Sequence, residues 1–191
     1  ASQSDAWLAV LSGDVPAATR HVQRALSALG ACTMPADERA YARAALSGVE
    51  AFCAIRRGEP AACLAHTRAG LDLLPSGHAQ VEAAIELCAG YALVFSGHLD
   101  DALLAERRAI RLAEGVGSIY TAIGATAHSA WVHRLRGELG MAEALCRRGR
   151  ELLEREDATL MPAAGGVHKE LGMVLFARGR LDEARDELSA A

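Results

Sequence analysis

The sequence has 191 residues, of which 51% are hydrophobic but only 4% aromatic, and its formal net charge is -4. That balance argues against a nucleic-acid surface, which normally appears as a basic patch with a pI above about 9. The longest apolar run, Leu87–Phe95, falls short of the roughly 18 residues that a membrane span needs.

A repeated glycine organises the chain from its beginning to its end. The glycines are separated by 45, 39, 40 and 42 residues, and they are Gly13, Gly58, Gly97, Gly137 and Gly179. Small residues stand seven before, five after and twelve after each of them. Each glycine follows one helical pattern and precedes a second, which predicts a helical hairpin whose turn is the glycine. The small residues predict a close approach of neighbouring helices.

In chain order, we predict hairpins over residues 1–30, 36–74, 77–115, 118–156 and 162–191, joined by the turn-rich segments 31–38, 74–79, 113–118 and 156–163. In the third hairpin, the first helix is apolar almost all round between Ile85 and Phe95, so we expect neighbours to cover it. The second helix is amphipathic. Its predicted buried set is Leu99, Ala102, Leu103, Ala109 and Ile110, and its predicted polar set on other faces is Asp100, Asp101, Glu106, Arg107 and Arg111.

A stack of such hairpins predicts an all-α fold, a right-handed α-α superhelix of about five hairpins in a single solenoid. The chain starts without Met and stops inside the second helix of the fifth hairpin. The apolar residues of that helix, Leu181, Ala184 and Leu188, would need a capping repeat to cover them. We therefore expect a fragment of a longer protein, with its oligomeric state open.

The repeat resembles the tetratricopeptide repeat (TPR), with Gly90, Gly97, Leu99, Ala102 and Ala109 on signature positions. Its period is longer than the usual 34 or so residues. The stretches 7–26 and 171–188 look like the superhelical domain of MalT-like regulators, which are bacterial transcription activators of the LuxR class. That resemblance implies a sensing segment, which receives a small-molecule inducer or a regulatory protein and signals to ATPase and DNA-binding domains outside this chain. A generic TPR adaptor or scaffold that binds peptides or helices is the alternative.

One column of large side chains is the candidate binding site. The residues six before the glycines are Trp7, Phe52, Tyr91, Trp131 and Met173. In TPR solenoids, side chains at this position of the first helix face the concave groove. Four further side chains would line the same groove: Arg56, Phe95, Arg134 and Phe176. Packing between adjacent first helices is the competing interpretation, since large side chains at helical spacing are usually core. The sequence leaves both open.

Catalytic and metal sites are not indicated. The single lysine, Lys169, has no phosphate-loop glycines around it, and the HExxH pattern is absent. His128 and His133 are five residues apart and would point about 140° apart on a helix. Five cysteines without a CxxC pair favour reduced thiols. We expect Cys53, Cys63, Cys88 and Cys146 to act as small apolar side chains. We expect no enzyme activity, cofactor, metal, nucleic-acid or membrane partner, and a cytoplasmic location.

Overall fold

The computed structural model describes residues 3–159 and 161–191, apart from the side chains of Gln3, Ser4, Leu11 and Pro162. The start of the first predicted hairpin and Leu160 of the last junction lie outside the described residues. All regular secondary structure in the described part is helical, which confirms the all-α prediction. The helices are α1 (Gln3–Leu11), α2 (Val15–Ala31), α3 (Ala36–Arg56), α4 (Pro60–Leu73), α5 (Ala79–Phe95), α6 (Leu99–Gly115), α7 (Ile119–Leu135), α8 (Leu139–Arg155), α9 (Pro162–Ala177) and α10 (Leu181–Ser189).

The chain divides into two compact units, residues 1–98 and residues 99–191. In the first unit, α1 packs on α2, α3 packs on α4, and the first helices α1, α3 and α5 meet in sequence. In the second unit, α7 contacts α6, α8 and α9, and α9 also packs on α8 and α10. Each unit has its own apolar clusters, so each has its own core.

The five repeat glycines take the left-handed backbone conformation, with φ between +75° and +81°. At Gly97, the glycine N–H donates to Val94 O at 3.0 Å and the N–H of His98 donates to Leu93 O at 2.9 Å. These two bonds close the end of α5 in the pattern of a glycine C-terminal cap. The predicted role of the glycines as helix-ending turns is confirmed.

At the small residue twelve after the turn glycine, the second helix of a hairpin packs closely against neighbouring first helices. A Cβ at Gly70 would lie 2.9 Å from Ile85 Cδ1 and 3.2 Å from Ser47 Cβ. A Cβ at the equivalent Gly149 would lie 3.1 Å and 3.2 Å from the two methyl groups of Val167. Each glycine therefore sits against the first helix of the following repeat, as the predicted close approach requires.

Candidate functional site

In the first unit, two members of the aromatic column pack on the core. Trp7 and Phe52 are half-buried against the cluster that contains Ala6, Val22 and Cys53. The Trp7 ring reaches α3, since a Cβ at Gly48 would lie 3.8 Å from its Cζ2 atom. These side chains join adjacent first helices while a part of each remains accessible.

The other first-unit candidates lie nearer the ends of their helices. Tyr91 is half-buried on α5, whereas Arg56, the last residue of α3, is exposed. Phe95 ends α5 and is 62% exposed, although its neighbours along the helix, such as Val94 and Ala92, are buried. An aromatic ring left this open has an apolar surface that a binding partner could cover.

In the second unit, the candidate residues lie on two first helices that contact each other, α7 and α9. Trp131 is half-buried, and its ring meets the imidazole of His128 edge-on at a centroid distance of 4.9 Å. Met173 is 37% exposed and Phe176 is 60% exposed. We call Trp131, Arg134, Met173 and Phe176 together the α7–α9 face.

An ion pair joins the two helices of the α7–α9 face. Nε of Arg134 donates to Oε2 of Glu170 at 3.0 Å, and Nη2 of Arg134 lies 3.0 Å from the same oxygen. Lys169 Nζ lies 3.1 Å from Oε1 of Glu170. Glu170 is only 3% exposed, and two cations compensate its buried charge. On α7, Trp131 lies three residues before Arg134, which places the two side chains about 60° apart around the helix. On α9, Met173 lies three residues after Glu170 and has the same angular separation from it. The pair therefore fixes the relative position of apolar side chains on α7 and α9.

A buried polar pair was placed wrongly by the sequence. Glu106 is fully buried, not on an exposed face of α6, and its Oε1 is hydrogen-bonded to Nδ1 of His128, which is 2% exposed. Burial, and secondarily the charge of Lys169, lowers the pKa of His128 to about 3. The sequence held one signal of this burial, because the other residues nine after a repeat glycine are all uncharged: Val22, Thr67, Cys146 and Leu188.

Glu143 is the centre of a second polar cluster that the sequence did not reveal. Its carboxylate accepts from Arg147 at 2.7 Å and from Arg180 at 2.9 Å, and Arg178 Nη1 lies 3.0 Å away. The hydrogen bond from Arg147 is the largest cause of a lowered Glu143 pKa, with further contributions from Arg180 and Arg178. Because α8 and residues 178–180 share this carboxylate, the cluster ties the fourth hairpin to the turn of the fifth.

The four cysteines expected to act as small apolar side chains, Cys53, Cys63, Cys88 and Cys146, are buried and form no disulfide, whereas Cys32 is exposed. Burial raises the pKa of Cys63 and of Cys146 to about 12, so both stay protonated thiols at neutral pH. Over residues 3–159 and 161–191, His, Cys, Asp and Glu side chains form no group of three that could hold a metal ion. Within the same ranges, no helix combines the length and apolar character needed to cross a membrane.

Comparison with known proteins supports both the repeat type and the fold. The family model described as the MalT-like TPR region matches residues 44–191. The crystal structure of BtubC (BKLC) from P. vanneervenii is similar over 94% of this chain and 71% of that chain, with a TM-score of 0.68. At 16% sequence identity, that similarity concerns the helical fold. No curated protein matches the sequence.

Proposed function

The chain belongs to the family of MalT-like TPR regions, and we propose that it is the effector-sensing segment of a LuxR-class transcription regulator. In this proposal the α7–α9 face binds an inducer or a regulatory protein. The occupied face then signals to ATPase and DNA-binding domains that lie elsewhere in the full-length regulator. The chain itself carries out recognition and no chemical step.

The exposure of Met173 and Phe176 on α9, the helix that also carries Glu170 of the Arg134–Glu170 pair, is the observation that carries the proposal. Binding sites combine a mainly apolar surface with a few fixed polar groups, and the ion pair supplies those groups at a defined place. The face also lies on two contacting helices, so a bound effector would touch both. A change in the contact between α7 and α9 is then a direct route from binding to a signal.

The full-length regulator with Phe176→Ser tests this assignment, read out as transcription from its target promoter against effector concentration. Phe176 is exposed, so its loss leaves the core intact but removes apolar contact with the effector. We expect the half-maximal effector concentration to rise about tenfold, as the loss of about 1.4 kcal/mol of binding free energy predicts.

Leu104→Ser is the matched control, because Leu104 is similarly exposed at 55% but lies on the second helix α6. The control variant should respond like the wild type. Equal responses of the two variants would contradict the placement of the site. A partner protein that binds the isolated chain through Phe176 with no effect on transcription would instead favour the adaptor function.

A further inference from the structure

A groove in the first unit lies apart from the aromatic column. It forms where α2 ends, the connection 32–35 crosses to α3, and the end of α4 approaches, and its volume is about 810 Å³. Its apolar wall consists of Leu26, Leu29, Met34 and Leu73. The apolar side chains come from α2, the connection and α4. None of the four is itself buried, and Leu26 also packs against the core cluster that contains Val22.

The charged side chains of this groove are both cationic. Arg39 and Arg43 line it four residues apart on α3, a spacing that places them on one side of the helix. Nη2 of Arg39 donates to Met34 O at 3.2 Å, which holds the guanidinium along the groove. Arg43 donates to Glu50 at 2.8 Å, so Arg39 carries the charge that its surroundings balance least. A guanidinium has five donors, and a single carbonyl leaves most of them for an anion.

The size of the groove decides between two kinds of occupant. The groove is open to solvent on one side, and its volume of about 810 Å³ lies within the range of about 300–1,000 Å³ found for small-molecule sites. A stable protein interface needs about 20–30 residues on each side, whereas nine residues line this groove. The dimensions fit a small molecule better than a protein partner.

We propose that this groove binds a small organic anion with an apolar body, whose carboxylate or sulfonate pairs with Arg39 and whose body contacts Leu26, Leu29 and Leu73. The ligand would sit at the junction between the first and second hairpins. It would therefore bridge α2, α3 and α4 and stabilise them relative to one another. This site is separate from the α7–α9 face, and either site can fail without the other.

Two fluorescent probes that differ in one charged group test the proposal on the full chain. 8-Anilinonaphthalene-1-sulfonate carries a sulfonate, and N-phenyl-1-naphthylamine has the same aromatic skeleton without it. We expect one equivalent of the sulfonate to bind, and Arg39→Gln to raise its dissociation constant about tenfold without changing that of the neutral probe. Decanoate should displace the sulfonate, since it offers the same combination of carboxylate and apolar body.

Two further variants control for other sources of binding. Arg20→Gln removes an exposed arginine of α2 that does not line the groove, and it should bind both probes like the wild type. Leu29→Glu adds a negative charge to the groove, and it should abolish binding of the sulfonate while the helical circular dichroism stays unchanged. The proposal is wrong if Arg39→Gln and Arg20→Gln weaken binding equally. It is also wrong if Leu29→Glu still binds the sulfonate probe, or if the fluorescence of the probe rises only as the protein unfolds.

Discussion

In the first unit, glycine and cysteine mark places where helices close on one another, whereas in the second unit buried carboxylates also bridge helices. Gly70 lets α4 approach Ile85 and Ser47, and the thiol of Cys63 donates to Cys88 O at 3.4 Å. In the second unit, Glu106 meets His128 between α6 and α7, and Arg134 meets Glu170 between α7 and α9. The same repeat therefore stabilises its hairpin contacts in two chemically different ways.

This difference shows which repeat positions the architecture dictates and which it leaves open. The turn glycine and the small residues beside it are needed wherever two helices close, and both units have them. The position nine before the glycine in the second to fifth repeats and the position nine after it in the first four are also buried, but they accept apolar or polar residues provided that the polar ones find partners. Removing one partner of a buried polar pair lowers stability, because the other partner is left buried without its contact.

Glu106→Ala should produce the largest loss of stability. It leaves a cavity in place of a fully buried side chain and leaves the neutral ring of His128 without the carboxylate that it contacts, so we expect the free energy of unfolding to fall by about 3–5 kcal/mol. Chemical denaturation followed by circular dichroism measures this loss.

Glu138→Ala is the surface counterpart. Glu138 Oε2 lies 2.5 Å from Nδ1 of His133, but the Glu138 side chain is 41% exposed. Exposed pairs contribute about 0–1 kcal/mol, so this variant should lose little. Similar losses in the two variants would refute the claim that burial makes the contact between Glu106 and His128 important for stability.

Gly149→Val should cost about 1–3 kcal/mol, since the added methyl groups would overlap Val167, which is fully buried. Gly70→Val should cost a similar amount, because the small residue serves the same purpose in both units. Gly115→Val is the control, since a Cβ there meets nothing within 4 Å. If thermal denaturation showed Gly70→Val to be as harmless as the control, close approach would not be a shared property of the two units.

Glu143→Gln should lower stability by about 1 kcal/mol at pH 7, because it removes the charge that three partly exposed arginines share. The pKa of Glu143 is lowered by folding, so its contribution is present above its unfolded pKa and disappears as the pH falls through its folded pKa. The difference from wild type should therefore vanish at acid pH, below the ordinary glutamate range near 4.5.

Glu114→Gln serves as the control for the pH series. Glu114 pairs with Arg148 at 2.6 Å, but both side chains are about half exposed. Denaturant midpoints measured across pH should differ little between this variant and wild type. A constant offset of Glu143→Gln down to the lowest pH would contradict an electrostatic origin.

Asp157→Gly should have the smallest effect, a gain of about 0.5 kcal/mol. Asp157 has φ +50°, and this left-handed conformation costs a residue with a Cβ about 1 kcal/mol. Relieving that strain outweighs the free-energy cost of the greater conformational entropy that glycine gives the unfolded chain. Gly117, forty residues earlier, has φ +67° in the equivalent junction. The reciprocal Gly117→Asp should lower the melting temperature, and a rise in its place would show that the two junctions are not equivalent.

The repeat, its turns and its close contacts could be predicted because each depends on a local requirement that one residue type meets. Gly97 had to end a helix, and Gly70 and Gly149 had to admit a neighbouring helix. Glu106 could not be predicted by the same reasoning, since its partner His128 lies on another helix and its charge suggested exposure. For the candidate site, the sequence identified Trp131 and Met173 by their register, but it did not reveal the Arg134–Glu170 pair between them.

The sequence of the reading frame around these 191 residues tests the central claim most directly, namely that this chain is the sensing segment of a MalT-like regulator. We expect the frame to encode a phosphate-binding loop of the GxxxxGK[ST] type upstream of these residues and a helix-turn-helix domain downstream of them. A frame that encodes neither domain would contradict it.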